Sequence, residues 1–236
     1  MKDFLINLKT PQTVATVTTS DDLAFLMDLV DVGKSELLNI ADIFEFRIDN
    51  FYELGELAQS MLLMKGLHAP VLLTARHPSE GGVAKAFAEN KVRADLLSKC
   101  MRFASLVDVE IAQFDDLASK LEFSCPIVGS SHDFEKPIPL EEIRKQVDFC
   151  RDRGIDIAKF AMVIETTDQL SELAEFVSKT VESGQLISAM GMGPLGRESR
   201  IELAATGSCL NYGYLQHENA PGQWPAKELK RLISKA

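Results

Sequence analysis

Lys159 is the residue of greatest chemical consequence in this sequence. It interrupts an apolar run, residues 155–164, with Ala158 before it and Phe160, Ala161, Met162, Val163 and Ile164 after it. Strand side chains alternate between faces. Lys159 therefore shares a face with Ile157, Ala161 and Val163, while Phe160, Met162 and Ile164 take the bulkier face, which suits packing against helices. The amine then points into the interior. Burial disfavours an ammonium, and nearby arginine charges push the same way. An ordinary lysine, with a pKa of ~10.4, is neutral in about one molecule in 2500 at pH 7; at a pKa of ~8 the fraction is about one in ten. A neutral amine attacks a ketone to form an imine. The competing assignment is a lysine whose stem packs while its tip reaches water.

Other apolar runs carry polar residues too. Ile43-Phe-Glu45-Phe-Arg47-Ile-Asp49 alternates strictly, placing Glu45, Arg47 and Asp49 on one face. Taken alone, that is a half-exposed strand with a solvated face. Inside a barrel, three charges cannot stand unpaired. Leu72-Leu-Thr74-Ala-Arg76 puts Thr74 and Arg76 together, ahead of a loop holding Glu80, Gly81 and Gly82. His132 falls where a strand opens into its loop; a lone histidine is structural or exposed unless neighbours give it a role. Met190 and Met192 share a face, which is core by default. Arg200 follows on the next helix, where a rim arginine can hold a carboxylate bidentately. Gln223 follows the turn signal Pro221-Gly222 and either bonds a substrate or caps the last helix. Gly191-Met-Gly-Pro-Leu-Gly196 has dinucleotide-loop spacing, but no acid-ended strand follows it. A phosphate cup is the other use of such a loop.

Eight β-type runs can position these residues: 14–19, 43–49, 69–76, 105–112, 125–131, 155–164, 184–192 and 208–215. Helical spacing fills the gaps, with starts at Asp21 or Asp22, Pro139 and Thr167 and a last helix at 226–234. Strands joined by helices pair in parallel. Eight units in 236 residues predict an α/β fold, one (β/α)8 TIM barrel spanning residues 1–236 as a single catalytic domain. An open doubly wound sheet is the alternative. Barrel active sites lie at the C-terminal strand ends, where Arg47, Arg76, His132 and Met192 fall.

A net charge of −10 disfavours nucleic acid and anionic membranes as partners, while leaving room for a small anion held by a few arginines. Cys100, Cys125, Cys150 and Cys209 form no CxxC pair and read as reduced structural thiols, with Cys125 and Cys209 buried. No HExxH motif or His/Cys cluster asks for a metal, and no cofactor is expected. Residues 1–7 carry no leader and no run is long enough to span a membrane, so the expected location is cytoplasmic.

In this order the motifs Glu45-Phe-Arg47-Ile-Asp49, Thr74-Ala-Arg76 with Glu80-Gly-Gly, Ser131-His132-Asp-Phe134, Lys159 in its strand, Met190-Gly-Met192 with Ser199-Arg200, and Ala220-Pro-Gly-Gln223 span nearly the whole chain. With them the chain resembles the type I 3-dehydroquinate dehydratases of the shikimate route. The resemblance implies syn dehydration of 3-dehydroquinate to 3-dehydroshikimate through a lysine Schiff base, without metal or organic cofactor. It implies Lys159 as the imine-forming amine, His132 as the acid/base that takes the C2 proton and protonates the C1 hydroxyl, and Glu80 as the acid that orients His132. Arg200 corresponds to the carboxylate-binding arginine. Glu45, Arg47 and Arg76 correspond to residues holding ring hydroxyls. Met190, Met192 and Tyr212 line the ring pocket, and Asn219, Ala220 and Gln223 belong to the covering loop. A homodimer is implied as well. The chain departs from the family at Phe46, where Trp is common, at Tyr212, where Phe is common, and at Asn219, where Ser is common. Two rivals are a class I aldolase acting on a phosphorylated sugar through the same Lys159, and a non-catalytic binding barrel.

Overall fold

A computed structural model describes residues 8–30, 33–220 and 222–235 of the chain. Residues 1–7 and Pro221, on which the leader and turn expectations bear, lie outside the described residues. The strands are β1 Gln12–Val17, β2 Ile43–Arg47, β3 Val71–Thr74, β4 Leu106–Glu110, β5 Ile127–Asp133, β6 Ile157–Val163, β7 Leu186–Met192 and β8 Leu210–Tyr214. All ladders are parallel, in the order β7-β6-β5-β4-β3-β2-β1-β8. Between β7 and β8 the ring is joined by Cys209 N–H donating to Ile187 O at 2.8 Å and Ser188 Oγ donating to Leu210 O at 2.6 Å. This is a (β/α)8 TIM barrel.

The helices are α1 Ser20–Val30, α2 Lys34–Ile40, α3 Ile48–Glu53, α4 Leu57–Gly66, α5 Asn90–Cys100, α6 Phe114–Ala118, α7 Leu140–Asp152, α8 Thr167–Glu182, α9 Gly196–Ala205 and α10 Ala226–Ile233. Their sequences explain them. In α7, Ile143, Val147 and Cys150 recur at helical spacing and are the buried positions. In α8, Thr166 and Gln169 form a reciprocal capping box, as its predicted start at Thr167 requires. In the same helix Val181 is 37% exposed while its neighbour Thr180 is buried. Among the described residues, no helix is long and apolar enough to cross a membrane. The four cysteines are free; Cys209 is buried and Cys125 only partly so.

Strand alternation sorts the core into two clusters. Phe44, Phe46, Leu73, Val107, Phe160 and Met162 face the helices. Val14, Ile43, Leu72, Leu106, Val128, Ile157 and Leu210 form an apolar floor inside the barrel. On β2 to β6 the next inward position is polar: Glu45, Thr74, Asp108, Ser130 and Lys159, all buried. One position higher come Arg47, Arg76, Glu110 and His132. The chemistry is thus stacked on a hydrophobic plug by two-residue periodicity alone.

Two boundaries move functional residues. β2 ends at Arg47, so Asp49 lies in the first turn of α3 and not on the strand. β5 runs to Asp133, so His132 is inside the strand rather than at its exit. At Gly191 a Cβ would stand 2.4 Å from Ser199 Oγ, so glycine there lets α9 pack directly on β7 and bring Arg200 to the barrel mouth.

Candidate active site

Lys159 points inward, as its parity requires, and is 3% exposed. Its Nζ donates to Asp108 Oδ2 at 2.9 Å and stands 4.0 Å from Glu45 Oε1. The expectation that burial and arginine charges alone govern this amine left out those two carboxylates. Asp108 Oδ1 accepts from Ser130 Oγ at 2.6 Å, and Glu45 Oε1 accepts from Thr74 Oγ1 at 2.7 Å. Burial would raise the Asp108 carboxyl, but Arg76 and Lys159 hold it well below the usual carboxylate range.

Arg76 completes this frame. Its Nη1 lies 2.9 Å from Asp108 and 3.0 Å from Glu110, and donates to Ser130 Oγ at 2.7 Å. Burial works against its charge, yet Asp108, Glu110 and Glu45 raise the guanidinium above its ordinary value. Glu110 also accepts from the His77 backbone N–H at 2.8 Å and pairs with Arg93. Arg93 is fully buried and donates to Ala75 O at 2.9 Å and Asn90 Oδ1 at 2.7 Å. The network sets Lys159, Arg76 and Arg93 against Glu45, Asp108 and Glu110, so it is charge-balanced. Arg47 belongs to a separate pair, bound to Asp49 through both nitrogens at 2.9 and 2.7 Å.

His132 lies on β5, whose neighbour Ser130 is in register with Lys159 on β6. Its Nδ1 is 2.9 Å from Glu80 Oε2, which also accepts the His132 backbone N–H at 3.0 Å. With Nδ1 donating to Glu80, Nε2 is left to accept a proton. Burial, then Arg76 and Lys159, hold the imidazolium well below its usual range, so the ring is neutral near pH 7. Burial and the Glu110 charge push Glu80 up to about 7. Glu80 ends a single turn, Pro78–Glu80, closed by Gly81 at φ +84. At Gly82 a Cβ would come within 2.2 Å of Arg76 O, so only glycine permits this close return of the loop. The Phe134 ring stacks on His132 at 6.2 Å and 11°.

Arg200 is different. It is 2% exposed and, among the described residues, donates only to backbone carbonyls, Gly222 O at 3.2 Å and Tyr212 O at 3.0 Å. Burial pushes its guanidinium down to about 10, with Glu218 opposing, and it remains a cation at neutral pH. The covering loop is tied above it. Asn219 Nδ2 donates to Thr16 Oγ1 at 2.5 Å and its Oδ1 accepts from Thr18 at 2.7 Å. Gln223 Oε1 accepts the N–H groups of Asn219 and Ala220 at 2.9 and 3.3 Å. Gly222 lies against Gly196, so this loop covers the turn that a phosphate cup would use.

These residues enclose one cavity of about 220 Å³. Glu45, Arg47, Arg76, Glu80, His132, Lys159, Met190, Met192, Arg200, Tyr212, Asn219, Ala220 and Gln223 all line it. Ala161, on the inward face with Lys159, and Gly81 and Phe134, from the loop and the histidine motif, line it as well, as do Thr16 and Thr18, which were not anticipated. Asp108 and Glu110 stand behind the wall and were missed, although Leu106-Val-Asp108-Val-Glu110 carries the same alternation as Glu45 and Arg47. Chemically, the site offers an amine held among carboxylates, a neutral imidazole oriented by an acid, and an arginine with no ion-pair partner among the described residues.

Residues 15–235 match the model of a protein family described as type I 3-dehydroquinase. A 3-dehydroquinate dehydratase from Methanococcoides burtonii is 32% identical over 201 residues, covering 82% of this chain and 84% of that protein. One from Methanocaldococcus jannaschii is 32% identical over 206 residues, covering 83% and 87%. Among solved structures, a type I 3-dehydroquinate dehydratase from Clostridium difficile with covalently modified comenic acid superposes with a TM-score of 0.78. It is 24% identical, with 96% of this chain and 92% of that chain covered, a likeness of fold.

Proposed function

The chain belongs to the type I 3-dehydroquinase family, and from that premise we propose how its residues carry out the family's reaction. It is a hydro-lyase that removes water from 3-dehydroquinate in the shikimate route. The observation that carries the residue assignments is the meeting in one cavity of Lys159, the His132–Glu80 pair and Arg200.

Arg200 binds the substrate carboxylate, replacing with an ion pair what the protein leaves to backbone carbonyls. Glu45, Arg47 and Arg76 hold ring hydroxyls, while Met190, Met192 and Tyr212 pack on the ring. Lys159 gives up a proton to the neutral His132 and adds to the ketone. His132 passes that proton and then a second amine proton to the carbinolamine oxygen, which leaves as water, so His132 is neutral again when the iminium has formed. The protonated imine keeps the positive charge beside Asp108 and Glu45, where an ammonium already sits. That iminium is the electron sink. His132 Nε2 removes the adjacent C2 proton, the pair of electrons flows toward nitrogen, and the same imidazole protonates the departing C1 hydroxyl. Water then hydrolyses the imine and frees Lys159. Glu80 fixes the ring orientation throughout.

We further propose residues 1–236 as one catalytic domain, a cytoplasmic location, no nucleic-acid partner and a homodimeric assembly, the last resting on family resemblance and open to sedimentation measurement. Borohydride reduction with 3-dehydroquinate present, followed by peptide mass mapping, tests the central assignment. The adduct is expected on Lys159 and absent from Lys159→Ala. An adduct on another lysine, or full turnover by the variant, would overturn it.

A further inference from the structure

Tyr212 is 3% exposed and lines the cavity, yet its buried hydroxyl has no hydrogen-bond partner among the described residues. The charged groups that act on it are engaged: Glu45 by Thr74, Asp108 by Lys159 and Ser130, Arg76 by Asp108 and Glu110. Buried hydroxyls are nearly always bonded, so an orphan in a binding cavity marks a bond left for something else to complete. Its position narrows what that is. Lys159 Nζ lies over the Tyr212 ring, 4.2 Å from its centre. The hydroxyl on that ring does not reach Nζ, but a single oxygen on the carbon under attack can stand between them. Burial, helped by the Glu45 and Asp108 charges, holds the phenol well above its ordinary value. It therefore stays a donor.

We infer that the Tyr212 hydroxyl donates a hydrogen bond to the ketone oxygen of the substrate as Lys159 adds to the carbonyl carbon. This rests on Lys159 being the imine-forming residue. The Nζ lone pair forms the C–N bond and the carbonyl π pair moves onto oxygen. Two of the three ammonium protons end on that oxygen, relayed by His132, and it departs as water while the C=N bond forms. Tyr212 keeps its own proton; it stabilises the charge gathering on oxygen and orients the same oxygen when water re-enters to hydrolyse the imine. Tyr212 thereby serves the two imine steps alone, whereas His132 moves protons in those steps and in the elimination.

Tyr212→Phe removes one oxygen and keeps the ring over Nζ. Rapid-quench borohydride trapping under single turnover, with mass mapping, reads imine formation directly. The Lys159 adduct is expected to form on the order of tenfold or more slowly in Tyr212→Phe, with stability in urea equal or higher and the binding of substrate before the quench unchanged. An unchanged trapping rate overturns the inference, whatever happens to stability, because the hydroxyl is then a tolerated orphan. So does a weaker substrate affinity with an unchanged rate at saturation, which would place the bond on another substrate group. If the wild-type adduct maps away from Lys159, the earlier assignment falls with it; if it maps to Lys159 and only the rate fails to move, the Tyr212 inference falls alone.

Discussion

Two arginines in the cavity wall, Arg76 and Arg200, are equally buried and oppositely treated. Arg76 meets Asp108 and Glu110, and its charge is raised against the cost of burial. Arg200 meets two backbone carbonyls, and burial pushes it down to about 10. Burying a charge is costly unless a partner compensates. The first arginine is therefore part of the protein's own framework, and in the function proposed above the second takes its counter-ion from the ligand. On that proposal the difference also orients the substrate. A carboxylate turned toward Lys159 would meet Glu45, Asp108 and Glu110; turned toward Arg200 it meets a cation bonded to backbone carbonyls. Repulsion at one end and attraction at the other discriminate between the two poses.

The sharpest way to break this comparison is to replace both arginines by methionine, one at a time. Arg76→Met leaves three buried carboxylates, Glu45, Asp108 and Glu110, facing only Lys159 and Arg93, and stability is expected to fall by about 3–5 kcal/mol in urea unfolding. Arg200→Met strands no protein charge, and its stability should hold or rise. If both variants lose stability equally, Arg200 is framework too. The smaller effect belongs to binding: Arg200→Met removes a charge-assisted bond of ~2–3 kcal/mol, a rise of ~30- to 150-fold in KM for 3-dehydroquinate, measured in steady state.

Those two environments were unequally legible in the sequence. The barrel was legible because eight apolar runs with helical spacers admit few topologies. Lys159, Glu45 and Arg76 were legible because a charge inside an apolar run has few innocent explanations. What alternation does not carry is pairing between distant strands. Asp108 bonds Lys159 across 51 residues, and only closure of the ring brings β4 and β6 to face each other. Asp108 and Glu110 lay within a correctly placed strand, with the right parity, and still went unread because no partner was visible. Strand ends were missed where local chemistry ended the strand, as at Arg47, where Ile48 opens α3. That Arg200 has no ion-pair partner among the described residues was illegible for a further reason. It depends on which groups fail to approach, which only coordinates show.

Between the two arginine environments stands the Glu80–His132 pair, which gives the finest test. Glu80 ordinarily ionises near 4.5 and is pushed up to about 7 in the folded protein. The folded state therefore holds a proton that the unfolded chain has released between those values. Its stabilising contribution is complete below pH 4.5 and is lost as pH rises through about 7. Activity moves the other way. Glu80 must be ionised to accept the Nδ1 proton of His132 and leave Nε2 as the base, and His132 itself is already neutral across this range. In the wild type, kcat/KM is expected to climb through pH 7 while stability declines. Glu80→Gln should remove both trends: no rise in kcat/KM near 7, an acid limb displaced below 6.5 where His132 titrates, and about tenfold less activity at pH 8 from the unoriented ring. A variant that keeps the wild-type limb near 7 would assign that titration elsewhere, and Glu80 would then be a positioning residue without a part in the pH dependence.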